Sequence, residues 1–323
     1  MCEGVGAQGL EAAEKQVAQE ALQTAWARVA SGFGITLAPG TVPTPAGLAR
    51  EAGVTLPELK ILFAEELENR LSERLGFALD ESAVSSKWVR AALVDAVEYQ
   101  ASVSDAANWA EVRERAAKDV DFLSPSQFLR RGGPIRPVQG FCGANLERYN
   151  AFFYQTKPHA EVQMEAIVVC PGVSIRALAA RELGRYSEAF AKQALTSLLT
   201  HESAHPIDSK RQPQMYQQWG NCAQVVKGAS GDGSAFPPAK LNELAADHWS
   251  AETLASLFET GQVSRQELAG IVAFGSLNYC LMGEKARGTH PDGRFRIDFK
   301  GRNARLRQAL GCGPAPEMLQ CRL

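Results

Sequence analysis

The sequence predicts an α+β protein that is predominantly α-helical, with a helical region over residues 1–135 and a second region over 136–323 that contains a short antiparallel edge sheet. Three observations predict it. Apolar residues recur at helical intervals through most of the first 120 positions. Two β-rich runs bounded by turn residues, Tyr149–Tyr154 and Glu165–Gly172, follow a Gly/Pro-rich linker. Beyond them helical patterns return, and the first of these carries His201-Glu202-Ser203-Ala204-His205.

In chain order, a helix is predicted over 9–31, where Leu10, Val17, Leu22, Trp26 and Val29 form a stripe that Gly32 and Gly34 end. The stretch Ala38–Pro45 is a Pro/Gly/Thr-rich link. Leu59, Leu62, Phe63, Leu67 and Leu71 mark a second helix over Leu56–Leu75, and two more are predicted near 86–100 and 105–119. These stripes read as core and not as cofactor contacts. Ser124-Pro125 and Arg131–Pro134 form a linker, and the two β-rich runs after it can pair as an antiparallel hairpin. A long helix over 187–205 ends at Pro206, which cannot continue it. Gly228–Gly233 is a loop, Pro237-Pro238 opens a helix over 239–259, and another spans 265–281 before a Gly/Pro-rich tail with short helical pieces. No internal repeat is visible.

With 45% hydrophobic and 22% charged residues the chain is globular, not disordered. A formal net charge of −2 argues against an electrostatic grip on nucleic acid or anionic lipid. Its longest apolar runs, such as Ala166–Cys170, are too short for a transmembrane segment. Seven cysteines form no Cys-x-x-Cys pair, which argues against a cysteine metal site. They are either reduced thiols of a cytosolic protein or disulfides of a secreted or periplasmic one whose signal is not in this sequence; the second is the expectation here.

In a helix the spacing of His201 and His205 stacks the two imidazoles on one face, within reach of one Zn²⁺. Glu202 then stands beside the ion to take a proton from water. The bland alternative is a chance match. A zinc hydrolase needs a third ligand and an open position. Glu243 on the following helix supplies the ligand, and Asp247, one turn later, can accept the free ring N–H of a ligating histidine. Asp208 can do the same for the other histidine. Two solvated surface acids are the alternative for Glu243 and Asp247.

These ordered pieces, with others, resemble the neprilysin-like zinc metallopeptidases, gluzincins whose third ligand is glutamate. Tyr149-Asn150-Ala151-Phe152-Phe153 is similar to the family's Asn-Ala-(Phe/Tyr)-Tyr strand, with Phe153 in place of the usual Tyr. Ile167–Gly172 resembles its second strand, His201–Asp208 its His-Glu-x-x-His-x-x-Asp block, and Glu243–Asp247 its Glu-x-x-Ala-Asp block. His290-Pro291-Asp292-Gly293-Arg294-Phe295-Arg296 is similar to its His-x-x-Gly-x-Phe-Arg block, and Cys321-Arg322-Leu323 to its ending.

The resemblance covers about 140–323 and implies a zincin-type domain acting as a zinc-dependent endopeptidase on peptides or proteins. It implies that His201, His205 and Glu243 ligate one zinc ion, that Glu202 is the general base to a zinc-activated water, and that Asp208 and Asp247 orient the histidines. Asn150 and Ala151 would hydrogen-bond substrate backbone, His290 would stabilise the oxyanion, and Arg296 would bind a substrate carbonyl. It also implies an extracytoplasmic location and a Cys222–Cys321 disulfide. Cys142 and Cys170 have no counterpart but flank the hairpin and can pair with each other. Cys2 behind Met1 is a candidate lipid anchor.

The family carries a far longer helical lid than the 1–135 region here, so a shortened covering subdomain would admit larger or folded substrates. The Pro/aromatic stretches expected after the second strand are replaced by Ser174-Ile175-Arg176-Ala177. The alternative of another class is an inactive or structural-zinc relative acting as a protein-binding module; the intact Glu202 argues against it, because a closed structural site needs no base.

Overall fold

The computed structural model describes residues 6–76, 83–104, 109–157, 163–184, 189–229, 237–282 and 290–313. Its first elements are α1 (Gly6–Gly32), α2 (Pro45–Ala52), α3 (Leu56–Leu75), α4 (Ala83–Val103), α5 (Trp109–Ala117), β1 (Asp121–Leu123), α6 (Pro125–Arg130) and α7 (Ile135–Cys142). Next come β2 (Ala151–Gln155), β3 (Glu165–Val169), α8 (Gly172–Glu182) and α9 (Ala189–Glu202). A 3-10 turn, His205–Ile207, precedes α10 (Tyr216–Ala229), α11 (Pro238–Glu259), α12 (Arg265–Met282), α13 (Gly293–Gly301) and α14 (Ala304–Leu310). The protein is α+β and predominantly helical. Its chain forms two compact units interleaved in sequence, 3–83 with 120–195 and 84–119 with 196–323.

In the first unit, α3 begins and ends where its sequence says. Thr55 accepts from the Glu58 amide while the Glu58 carboxylate accepts from the Thr55 amide, and Gly76 closes the helix at φ 82°. Trp26 of α1 stacks on Phe63 of α3 with ring centroids 4.0 Å apart. The β-rich runs pair antiparallel as expected, Phe152 opposite Val168. A third strand, β1, adds in parallel to the other side of β3, giving the order β1-β3-β2. Three residues are too few to show an alternation, so this strand leaves no readable pattern in the sequence.

Cys142 and Cys170, which the sequence allows to pair, form a disulfide that ties the end of α7 to the residue after β3. Helix α8 starts so close to Arg148 that a Cβ on Gly172 would lie 2.1 Å from its backbone, so only glycine fits there. Arg176 of α8 pairs with Glu14 of α1 and lies over the Tyr149 ring at 4.0 Å.

In the second unit α11 is the central helix: every residue from Leu244 to Leu257 is buried. Trp109, Trp219, Phe295 and Phe299 cluster with Leu244, Ala245, Ala246 and Trp249 of its first half, and Leu268, Ile271 and Leu306 with Leu254, Ala255 and Leu257 of its second. A helix buried on all sides must satisfy its polar residues internally. Asp247 meets Arg296, Ser250 meets Lys300 at 2.7 Å, and Glu252 meets Asn303 at 2.6 Å, so α13 and the start of α14 present the matching donors. Lys300 is buried; desolvation outweighs the nearby Asp247 and brings its ammonium down to about 8.

Cys222 is disulfide-bonded, but Cys321, its expected partner, lies outside the described residues, as does Cys2. Cys312 is exposed and free. Among the described residues no helix is long and apolar enough to cross a membrane.

Candidate metal centre

The predicted helix through His205 stops at Glu202. Pro206 has no N–H, and its ring would collide with the carbonyl of Glu202, so the chain tightens ahead of it. The Ser203 amide still reaches four residues back to Leu199 O at 2.9 Å, whereas the Ala204 amide reaches only three back to His201 O at 3.1 Å. The histidines nonetheless stay adjacent, with ring centroids 5.1 Å apart and planes at 87°. One turn of α11 carries Glu243 and Asp247, spaced as read from the sequence.

All of this lies within the second unit. His201, His205 and Glu243 each offer a ligand atom, and those atoms lie within 4.8 Å of one another. Each histidine is held from behind. Asp247 Oδ1 lies 3.0 Å from His201 Nδ1 and Asp208 Oδ2 lies 3.1 Å from His205 Nδ1. A carboxylate accepts and does not donate, so both Nδ1 atoms carry the proton and both Nε2 atoms face the cluster. His201 Nε2 is 3.2 Å from Glu243 Oε2, and His205 Nε2 is 3.7 Å from Glu202 Oε2. His290 Nε2 also reaches Glu243 Oε2 at 3.2 Å. Two imidazoles and a carboxylate, each imidazole backed by an acid, fit a zinc ion in donor type and number.

Burial raises the Glu243 carboxyl, but the His201 hydrogen bond and the charges of His205, His201 and Arg296 outweigh it and bring it to about 2. Burial lowers the His201 ring, yet its bonds to Asp247 and Glu243 carry it up to about 9. Burial pushes Glu202 up, the direction wanted in a general base, and pushes His290 down.

Arg296 is 3% exposed and Asp247 fully buried. The guanidinium donates Nε to Asp247 Oδ2 at 2.6 Å and Nη2 to Oδ1 at 2.9 Å. It also lies over the Tyr279 ring, 4.3 Å from the centroid. Its two bonds hold Asp247 well below the usual carboxylate range despite burial. Asn150 and Ala151 belong to the first unit; Asn150 Nδ2 donates to Phe141 O at 3.3 Å, and Ala151 pairs with Val169.

Two residues of the site, Tyr279 and Lys300, carry no signal in the sequence. Tyr279 OH donates to Asp247 Oδ1 at 2.6 Å, though on α12 it reads as one more apolar position. Gly293 makes that contact possible: α13 abuts α12 so closely that a Cβ at 293 would lie 2.2 Å from Tyr279 O. Lys300 donates to Ser250, whose hydroxyl is 2.7 Å from that of Thr200, one residue before His201. Arg211 donates to Asp208 Oδ2 at 3.1 Å and to His205 O at 2.7 Å; an arginine three residues after an acid was the available clue. His248 is buried between Trp219 and Trp249 as a core residue, and His159 lies outside the described residues.

Compared with protein-family models, curated proteins and solved structures, the chain matches none.

Proposed function

We propose that the chain is a zinc-dependent endopeptidase whose ion is held by His201, His205 and Glu243. One observation carries the proposal: the two Nε2 atoms and a Glu243 oxygen converge while both Nδ1 atoms are held by acids, with Glu202 alongside. When bound, zinc supplies Lewis acidity that polarises an amide carbonyl and makes water more acidic. Glu202 takes the proton from water as it attacks the carbonyl carbon, and passes it to the leaving amine. His290 donates to the developing oxyanion. Arg296 has Nε and Nη2 committed to Asp247, which leaves Nη1 to meet a substrate carbonyl. Asn150 and Ala151 remain the proposed contacts to substrate backbone, since β2 is a terminal strand of the sheet and extended peptides pair with such strands. The zincin-type assignment and an extracytoplasmic location belong to the same proposal; the Cys142–Cys170 disulfide is compatible with that location.

The test is mass-spectrometric mapping of cleavage in a peptide library, with casein beside it, using wild type and Glu202→Gln. The expected result is chelator-sensitive cleavage by wild type, restored by zinc, and a Glu202→Gln protein that keeps zinc but cleaves at least 100-fold more slowly. Wild type that binds zinc and cleaves nothing overturns the reading.

A further inference from the structure

We propose that Tyr279 tunes His201 through Asp247: by donating to the same carboxylate oxygen, its hydroxyl limits how strongly Asp247 holds the His201 Nδ1–H. The inference deepens the metal reading of the site and rests on it only for what His201 Nε2 does.

Asp247 Oδ1 faces three donors, Tyr279 OH at 2.6 Å, Arg296 Nη2 at 2.9 Å and His201 Nδ1 at 3.0 Å, whereas among the described residues Oδ2 takes only Arg296 Nε at 2.6 Å. A carboxylate oxygen has two lone pairs, so three donors on Oδ1 compete. The outcome is visible in the distances. Tyr279 makes the shortest of the three contacts to that oxygen, 2.6 Å against 2.9 Å for Arg296 and 3.0 Å for His201. Arg296 grips both oxygens, so the orientation of Asp247 does not depend on Tyr279. What the tyrosine controls is the share of Oδ1 basicity left for His201.

That share sets the ligand. A stronger pull on Nδ1–H makes Nε2 a better donor to a metal, and a weaker pull a poorer one. Tyr279 therefore acts as a brake on metal affinity, which keeps the ion's positive charge less neutralised by its ligands. It is a positioning and tuning residue, since its hydroxyl reaches Asp247 and acts on His201 through it.

The experiment uses the full chain with two changes of opposite sign. Tyr279→Phe removes the competing donor, and difluorotyrosine incorporated at 279 makes the same hydroxyl a stronger one. The readouts are the proton shift of His201 Nδ1–H by NMR, in metal-free and zinc-loaded protein, and zinc affinity by competition with a chromophoric chelator. Tyr279→Phe is expected to move the proton downfield and to tighten zinc about tenfold, the low end of what outer partners of ligating histidines produce; difluorotyrosine is expected to move both readouts the other way. Shifts of one sign in both proteins, weaker zinc in Tyr279→Phe, or no movement of the proton would overturn the proposal. A wild type that binds no zinc overturns the metal reading alone, because the proton comparison in metal-free protein still tests the role of Tyr279. If Tyr279→Phe fails to fold, the fluorinated protein, which keeps the hydroxyl, decides by the sign of its shift.

Discussion

Replacing Arg296 by Met removes the cation that balances the most buried acid of the site. Asp247 is fully buried, and Arg296 meets it through two bonds of 2.6 and 2.9 Å, with Glu243 a further 3.8 Å from Nη2. Unit charges at that separation attract by roughly 6 kcal/mol at an effective dielectric of 20. The methionine recovers packing but leaves Asp247 with only the Tyr279 and His201 donors, so the expected cost is about 3–5 kcal/mol, the range for removing one partner of a buried pair. Asp247→Asn should be destabilising as well, because it strands the guanidinium. The double variant should cost less than the two singles together by at least about 1.5 kcal/mol, since neither orphaned charge is then present. Urea unfolding with chelator throughout, so that metal binding adds nothing, measures all four proteins. Tryptophan fluorescence is a suitable probe because four of the five tryptophans, at 88, 109, 219 and 249, lie in the second unit. Single costs under about 1 kcal/mol, or a double variant additive within about 0.5 kcal/mol, would refute the view that this pair organises the site.

Lys300 gives a pH-dependent prediction. Its folded-state value of about 8 lies below the ordinary 10.5, so the folded protein loses this proton before the unfolded chain does and stability rises with pH between those values. The advantage of Lys300→Met over wild type should be largest below pH 8 and shrink by about 3 kcal/mol by pH 10.5; a difference that does not change with pH would refute it. Replacing Cys142 and Cys170 by Ser opens a loop spanning 28 residues and should cost about 3.5 kcal/mol, seen as faster pulse proteolysis of the first unit. Equal protection in both proteins would show that the crosslink adds nothing. Chelation of the wild type should abolish hydrolysis, and Glu202→Gln should slow it at least about 100-fold with metal retained.

Helices with strong local signals were legible almost to the residue. α3 runs over Leu56–Leu75 as read because Thr55, Glu58 and Gly76 specify its ends, and α12 begins at Arg265 as expected. Elements whose pattern is short or broken were not. β1 has three residues, α2, α6 and α7 are only six to eight residues long and stand beside the Pro/Gly-rich links, and α8 is buried so fully that no polar face marks its period. Helix α9 ends at Glu202 and not at His205, because proline acts on the turn before it and not only at its own position.

By itself the sequence determined which donors exist and how they are spaced along their own helices, His201 with His205 and Glu243 with Asp247, because helical geometry relates residues four apart without reference to anything else. Only the tertiary structure decided that these two pairs meet, that Arg296 and Tyr279 converge on Asp247, and that Lys300 is buried against Ser250. Those contacts join positions 32 to 50 residues apart. They follow from how α11 is enclosed by its neighbours, which no local period encodes.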